Sequence, residues 1–437
     1  MRSVRGVIVL AVAFATAAQA EEFTTYGFGP RAAAMAGAMV ADASDYTGTF
    51  YNPALLVNRT DVNFGASVNW YRTFTEVTSN DATRPIDCTY CQPPDAVGMS
   101  LGALFPLGGK VKNRVAIGLG LYIPFERLLR VLAPSTNQPF WYTFNSHNER
   151  LIIYLGLGVK IVDWLTVGIG AQALADLVGQ GAKVKVDLFS KAVEAQVIDA
   201  HLAAHVAPVF GLQVKPIPRL RFGLTYHYEM SLKYSIPASI DLDGIGSLAF
   251  EAHGYTHYSP HSFVLGAAFE PHPDLTVALD AEFALWEFAP SPYLGMTMDL
   301  SGETLEALGL GSALDLAQDP PKPGFTNTLG VKLGLEYRLS KRFALRGGFF
   351  YRPTPVPKQD AEGTNVLDGS TLAATLGGGF NFDDPLEIFQ SPIHIDLSVQ
   401  TQFMIGREAK KDPLDTMPSY SYVGRTFGVS SALRYDF

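Results

Sequence analysis

The chain has 437 residues, of which 12% are aromatic and only 17% are charged, and its formal net charge is −9. This excess of acids, with no basic stripe along the chain, excludes nucleic acid as a partner. The stretch that comes nearest to a transmembrane helix, 151–171, is interrupted by Lys160 and Asp163 and is therefore no such helix.

Residues 1–20 predict a secretory signal that is cleaved. Arg2 and Arg5 give it a basic start, 7–17 is almost wholly apolar, and 18–20 (AQA) fits a small-residue cleavage site. An exported chain of this composition, without a membrane helix, is either a soluble β protein or a transmembrane β-barrel.

Residues 21–59 show no alternation of apolar and polar residues. The stretch 31–44 (RAAAMAGAMVADAS) is built from small residues that tolerate helix, and it is too weakly apolar to span a bilayer. A helix must stop at Asn52, because the residue before a proline is pushed out of the α region. One interpretation is a disordered tail. The small side chains favour the other, a compact helical hatch that plugs a barrel formed by the rest of the chain.

From about residue 62 onward, apolar and polar residues alternate in long runs. In 394–404, for example, Leu397 and Val399 share one face while Ser398 and Gln400 share the other. Runs near ten residues suit a tilted strand that crosses an outer membrane, and they exceed the ~5–6 residues usual in soluble strands. We therefore predict an all-β fold, a transmembrane antiparallel β-barrel of about 14 strands, with a soluble β-sandwich as the alternative.

The connections and the C-terminus support a bacterial outer-membrane barrel over residues 60–437. Short turns such as 215–220 (KPIPRL) and 270–275 (EPHPDL) alternate with long loops, as in barrels of this kind. The last strand ends on Phe437, which resembles an outer-membrane assembly signal. The predicted long loops are 77–95, 125–146, 179–205, 237–258, 291–324, 354–370 and 408–423.

Cys88 and Cys91 are the chain's two cysteines, and they lie in the first long loop. In an oxidising compartment this spacing predicts a local disulfide. A redox role needs a thioredoxin-like βαβ context, which the sequence lacks. Zinc would need further ligands, and no histidine is near, so we predict no metal site.

Residues 26–56 (YGFGPRAAAMAGAMVADASDYTGTFYNPALL) resemble the N-terminal hatch of the FadL/TodX family of outer-membrane transporters, which ends in a signature Asn-Pro-Ala. The resemblance continues through 259–288 (SPHSFVLGAAFEPHPDLTVALDAEFALWEF) and 345–357 (LRGGFFYRPTPVP). It implies a fourteen-stranded barrel whose lumen is closed by the hatch. It also implies that long-chain fatty acids or aromatic hydrocarbons pass from an external groove to a lumen pocket and leave sideways.

The resemblance suggests the first site residues. Asn52, Pro53 and Ala54 carry the family motif and are predicted to fix the hatch and take part in gating. Phe23 resembles the family's N-terminal aromatic that reaches the inner pocket. The alternative for Phe23 is a place in a mobile terminus.

Two long loops, 187–203 and 300–316, show helical rather than β periodicity. Apolar residues exposed in external loops need an explanation, and they look like the family's external groove for a hydrophobic ligand. Alternatively, the two helices bury their apolar faces on each other. The candidate ligand-binding residues here are Leu188, Phe189, Val193, Leu305 and Leu308.

Lumen-facing basic residues are candidates to meet a fatty-acid carboxylate. Lys332 and Arg346 are the leading two, and Arg338 and Arg352 are further ones. Buried charges need partners, so pairing with lumen acids is the alternative role. The acids that qualify are Asp280, Glu282, Glu336 and Asp396.

The predicted function is passive uptake of hydrophobic molecules, long-chain fatty acids above all, by a monomeric, multi-pass outer-membrane channel. It needs no cofactor, it is not an enzyme, and its surroundings are outer-membrane lipid and lipopolysaccharide. An aromatic-hydrocarbon channel of the same family and a general porin are the alternatives. A lipase using Ser100 in 98–102 (GMSLG) is another, although that motif needs a strand-to-helix turn and here lies inside a β run.

Overall fold

The structure is a computed structural model, and it describes residues 22–437 with internal gaps, so the predicted signal lies outside it. The gaps are 87, 89–90, 127–133, 135, 145–149, 188–191, 243–245, 302–315, 319, 361–363, 384–390, 413–414 and 416. The backbone alone is described at 22, 176–187, 192–203, 236, 238, 240–242, 246, 256, 300–301 and 316–318.

Fourteen strands of the described chain close into an antiparallel barrel, which confirms the predicted fold class. Each strand pairs with its neighbours in the ring, and the last strand returns to the first from Asn63 opposite Asp436 to Ser79 opposite Tyr420. The ring strands are β1 (Asn63–Ser79), β2 (Ala96–Pro106), β3 (Val115–Pro124), β5 (Ile152–Val162), β6 (Leu165–Asp187), β7 (Ala192–Ile217), β8 (Leu220–His227), β11 (Ser262–His272), β12 (Leu275–Ala284), β15 (Thr328–Arg338), β16 (Phe343–Arg352), β18 (Thr371–Phe382), β19 (Ile393–Ala409) and β20 (Tyr420–Asp436).

Apolar side chains of the ring face outward and polar ones face the lumen. On β20, Phe427 and Leu433 are 40% and 57% exposed, whereas Thr426 and Ser430 are buried. The same alternation runs along most of the strand. An outward apolar band with a polar interior is the arrangement that a lipid bilayer requires.

Six further strands lie outside the ring: β4 (Phe140–Trp141), β9 (Met230–Leu242), β10 (Gly246–Ser259), β13 (Gly295–Ser301), β14 (Leu316–Gln318) and β17 (Val366–Leu367). β9 pairs in parallel with the far part of β6, from Ala182 opposite Ala238 to Val186 opposite Leu242. β10, β13 and β14 extend this sheet. Two short 3₁₀ helices, Gly109–Val111 and Trp286–Phe288, complete the connections.

The predicted loop over 179–205 is wrong, because its described residues belong to the long β6–β7 hairpin. The predicted helix over 187–203 is wrong from Ala192 onward for the same reason. A short apolar run fits either period, and here pairing with β6 satisfies the backbone of β7. Similarly, the predicted loop over 237–258 is wrong, because it contains the end of β9 and nearly all of β10.

Three short helices and a 3₁₀ helix precede the barrel: α1 (Glu22–Tyr26), α2 (Pro30–Ala34), α3 (Gly48–Tyr51) and Pro53–Asn58. We call residues 22–58 the hatch segment. Helix α3 stops at Asn52, whose φ of −168° is extended, and this confirms the predicted stop before Pro53. Within the described ranges, no helix is both long enough and apolar enough to cross a membrane.

Candidate functional site: a lumen cavity between the hatch segment and an aromatic cap

The hatch segment lies inside the barrel and is almost entirely buried. Inward-facing glycines on most ring strands allow this fit, because a Cβ at any of them would lie less than 3.0 Å from a hatch atom. At Gly168 and Gly223 the obstructing atoms are hatch backbone, which has no flexible end to move aside. These glycines, which we call the glycine belt, are Gly65, Gly102, Gly118, Gly120, Gly156, Gly158, Gly168, Gly211, Gly223, Gly266, Gly334, Gly348 and Gly377.

Asn52 joins the hatch segment to the barrel wall. Its Nδ2 donates to the carbonyl oxygen of Val40 at 2.8 Å and to that of Leu212 on β7 at 3.0 Å. The Ala54 amide donates to its Oδ1 at 3.0 Å, so Asn52 also caps the 3₁₀ helix. Every polar atom of this buried side chain is therefore engaged, which fixes the turn at Pro53 against the wall.

A network of buried ion pairs also connects the hatch segment to the barrel. Arg31 on α2 contacts Asp42 at 2.6 Å and Glu336 on β15 at 2.9 Å. Glu336 also pairs with Arg346 at 2.7 Å, and Arg346 in turn pairs with Asp396 on β19. Arg346, a predicted ligand residue, thus has two carboxylate partners and does not line the cavity described below.

Further wall residues hold the hatch backbone. Asp280 on β12 accepts hydrogen bonds from the amides of Met39 and Val40 at 2.8 and 3.0 Å. Thr225 donates to the carbonyl oxygen of Tyr51, and Gln402 donates to that of Thr25. Because these wall residues lie on β8, β12 and β19, the hatch segment is attached on several sides of the lumen.

An ion pair with β20 holds the hatch segment beside the strand that closes the barrel. Arg434 lies 3.4 Å from Asp45, and the Thr47 amide also donates to this carboxylate at 3.0 Å. Burial opposes ionisation of Asp45, but Arg434 and Thr47 outweigh it and lower the pKa of Asp45 below its ordinary value.

Aromatic side chains close the lumen at the end of the barrel opposite to the C-terminal residue, Phe437. They come from the connections around the short parallel pair β4–β17 and from the far end of β20. The sequence signal for this closure, the run Phe140-Trp141-Tyr142, lies in the stretch 125–146 that was predicted as a long loop. This aromatic cap consists of Phe140, Trp141, Tyr142, Phe144, Trp286, Tyr293, Phe325, Tyr420 and Tyr422.

The two cysteines support the cap. Cys88 and Cys91 are joined by a disulfide. The Trp141 indole donates to the carbonyl oxygen of Cys91 at 2.8 Å, and the Cys91 side chain packs against the cap. The disulfide therefore lies beside the aromatic cap and not beside the hatch segment.

A cavity separates the hatch segment from the aromatic cap. Its volume is about 100 Å³, so the cavity is narrow. Most of its lining is apolar. Hatch residues Phe50 and Tyr51 line one side, and Trp286 lines the cap side. The charged side chains among its lining residues are Glu282, Lys332 and Arg352.

The predicted ligand residues fall in different places. Lys332 lines the cavity and pairs with Glu282 at 2.8 Å. Phe23 is buried one layer away, where it stacks on Phe28 with ring centroids 4.3 Å apart and contacts Phe50 edge-on. The backbone of Val193 lies in β7, and its side chain falls outside the described atoms. Leu188, Phe189, Leu305 and Leu308 lie outside the described residues.

Neither a nucleophile nor a metal centre emerges in the described part of the chain. Ser100 is buried in the middle of β2, opposite Ser67, and not on a strand-to-helix turn. No group of three potential metal ligands occurs among the described residues. The mainly apolar lining of the cavity suits a mainly apolar ligand.

Comparisons with known proteins agree with this geometry. Residues 6–400 match the family described as "Outer membrane protein transport protein (OMPP1/FadL/TodX)". A segment of 85 residues, 20% of this chain, is 34% identical to alkane uptake protein A of Marinobacter nauticus and spans only 19% of that protein.

Solved structures share the fold at low identity. A Pseudomonas aeruginosa FadL homologue has a TM-score of 0.59 at 15% identity, covering 98% of this chain and 100% of that one. The toluene transporter TodX of P. putida has a TM-score of 0.58 at 17% identity, covering 94% and 99%. The chain therefore belongs to the FadL/TodX family of outer-membrane transport proteins, which are channels for hydrophobic compounds and not enzymes.

Proposed function

We propose that this protein takes up long-chain fatty acids passively across the outer membrane. The observation that carries the proposal is the narrow, mainly apolar cavity enclosed by the hatch segment and the aromatic cap. An elongated alkyl chain gains roughly 25 cal/mol for each Å² of apolar surface that leaves water there. No cofactor or energy source is needed, because the ligand moves down its concentration gradient.

Release requires a change in the hatch segment. Phe50 and Tyr51 line the cavity immediately before the Asn52-Pro53-Ala54 turn, so a shift of that turn would alter the cavity. We propose that this turn gates the channel, that the ligand leaves sideways into the membrane, and that one chain suffices. We also propose, from the sequence alone, that the protein contacts lipopolysaccharide and that external loops capture the hydrophobic ligand. The loop residues proposed for capture are Leu188, Phe189, Val193, Leu305 and Leu308.

Uptake of radiolabelled palmitate by Gram-negative cells that lack their own transporter tests the proposal. Cells making this protein should accumulate palmitate faster than cells carrying an empty vector. In planar bilayers, the purified protein should show no steady ion conductance, since the hatch segment fills the lumen. Steady conductance without palmitate uptake would favour a general porin and contradict the proposal.

A neutral hydrocarbon is the second candidate cargo. Its support is the similarity to alkane uptake protein A, which covers a fifth of this chain. Accumulation of labelled hexadecane without palmitate would favour this candidate. Lipid extraction and mass spectrometry of the purified protein would show which class it retains.

A further inference from the structure

The charged side chains that line the cavity differ in their partners. Lys332 and Glu282 neutralise each other at 2.8 Å. Arg352, at the end of β16, has no carboxylate oxygen within 4.0 Å among the described residues. Its polar contacts are two long hydrogen bonds to hydroxyl groups, at 3.3 Å to Thr25 and at 3.5 Å to Thr371.

The two acids that interact with Arg352 at longer range bind other side chains. Asp368 and Glu282 both interact with Arg352 through space. The Asp368 carboxylate, however, accepts the hydroxyl groups of Thr143 and Thr354, and Glu282 is paired with Lys332. Arg352 therefore keeps several of its five N–H donors without a hydrogen bond to any carboxylate of the described residues.

A guanidinium in a mainly apolar cavity needs an anionic partner, because burying an unpaired charge is costly. Its planar fork matches a carboxylate, which it binds with two parallel hydrogen bonds. The Phe144 ring of the aromatic cap, whose centroid is 5.8 Å from Arg352 Cζ, borders this position. Elsewhere the cavity lining includes alkyl and aromatic surface, as at Val40, Phe50 and Val264.

We propose that Arg352 binds the carboxylate of the ligand and gives the channel a preference for long-chain acids over neutral molecules of the same length. The proposal rests on the proposed uptake function and adds the residue that recognises the head group. Lys332, which the sequence favoured for this role, is already neutralised.

Binding of matched ligands to purified protein in nanodiscs tests the proposal. The probes are radiolabelled palmitate and 1-hexadecanol, which have the same chain length and differ in charge. Arg352→Gln should weaken palmitate binding about tenfold or more, the size of one lost charge-assisted contact, and leave hexadecanol binding unchanged. Arg352→Lys should restore part of the palmitate affinity, because it keeps the charge but not the fork.

A double variant, Glu282→Gln/Lys332→Gln, serves as the matched control, since it removes the neutral pair from the same cavity. It should keep the preference for palmitate. Heat-dependent mobility on gels shows that each variant is folded. Equal loss of both ligands in Arg352→Gln, or an unchanged preference, would overturn the role of Arg352 while the uptake function stands. Failure of the wild-type protein to bind either ligand would instead overturn the proposed function.

Discussion

Asn52 of the hatch segment and Gly211 of β7 approach so closely that a Cβ at position 211 would lie well under 3.0 Å from Asn52 Oδ1. The same Asn52 side chain donates to the carbonyl oxygen of the next wall residue, Leu212, at 3.0 Å. One asparagine therefore holds the hatch segment to the wall, and the glycine opposite makes that contact possible.

Gly211→Ala should loosen the hatch segment while the barrel still forms. The added methyl group meets Asn52 Oδ1 and, at 2.9 Å, Pro53 Cδ. These atoms cannot move aside easily, because hydrogen bonds to Val40 and Leu212 fix the Asn52 side chain. Overpacking of this kind costs about 1–3 kcal/mol. Limited proteolysis of the folded protein should cut the hatch segment faster in the variant.

Gly347→Ala is the control for this experiment. A Cβ there would meet the Leu376 side chain at an ordinary 3.6 Å and no hatch atom, so proteolysis should match the wild type. If the hatch segment of Gly211→Ala resists proteolysis as well as that of the wild type, the close packing of Asn52 against Gly211 does not hold the hatch segment in place.

Leu397→Arg should destabilise the barrel because Leu397 faces the membrane. Its side chain is 56% exposed, between the buried neighbours Asp396 and Ser398 on β19. A cation on the lipid face near the bilayer midplane costs about 2–4 kcal/mol. Urea unfolding in lipid vesicles measures the loss, and Leu397→Phe, which keeps the face apolar, should cost far less. An Arg variant as stable as the Phe variant would refute the face assignment.

The strands and the helix stop were predictable because their signals are local. Alternation along 394–404 fixes which face of β19 meets lipid, and Pro53 ends α3 by the geometry of its own ring. The glycine belt was not predictable, because a glycine in a strand does not reveal which distant atom approaches it. Only the closed barrel brings Gly211 to Asn52.

The ion network shows the same limit. Arg31 and Glu336 are 305 positions apart. Nothing in the sequence says that Arg346 pairs with Glu336 and Asp396, whereas no described acid comes within ion-pair distance of Arg352. The helix predicted over 187–203, which is wrong from Ala192 onward, has a different origin. There the apolar spacing fitted a helix, but the long hairpin with β6 gave the backbone of β7 its partners.

Acid should loosen the hatch segment partly through Asp45. Its folded pKa lies below the unfolded value of about 3.9, so its contribution to stability is present above that pH. The contribution is lost as the pH falls through the folded pKa, when the ionised carboxylate that holds Arg434 and Thr47 takes up a proton. Proteolysis of the hatch segment between pH 7 and pH 2 measures this. Compared with the wild type, the hatch segment of Asp45→Asn should be cut faster at pH 7, and its rate of proteolysis should increase less below about pH 4.

Asp163→Asn controls for general effects of removing an acid, because its side chain is 99% exposed. Its pH profile should follow the wild type. If Asp45→Asn also follows the wild-type profile, Asp45 does not hold the hatch segment through its charge.

The last prediction concerns Asn52 and Pro53 together. Replacing both with alanine removes the bonds to Val40 and Leu212 and lifts the restriction that ends α3, so the helix can continue and displace Ala54 from Gly168. The ring strands and Phe437 are unchanged, and the barrel should insert normally. Palmitate uptake should fall sharply in Asn52→Ala/Pro53→Ala, because the Phe50–Tyr51 side of the cavity loses its position. Asn80→Ala, in an exposed loop, should leave uptake intact. Normal uptake by a correctly inserted double variant would show that the turn anchors the hatch segment without gating the channel.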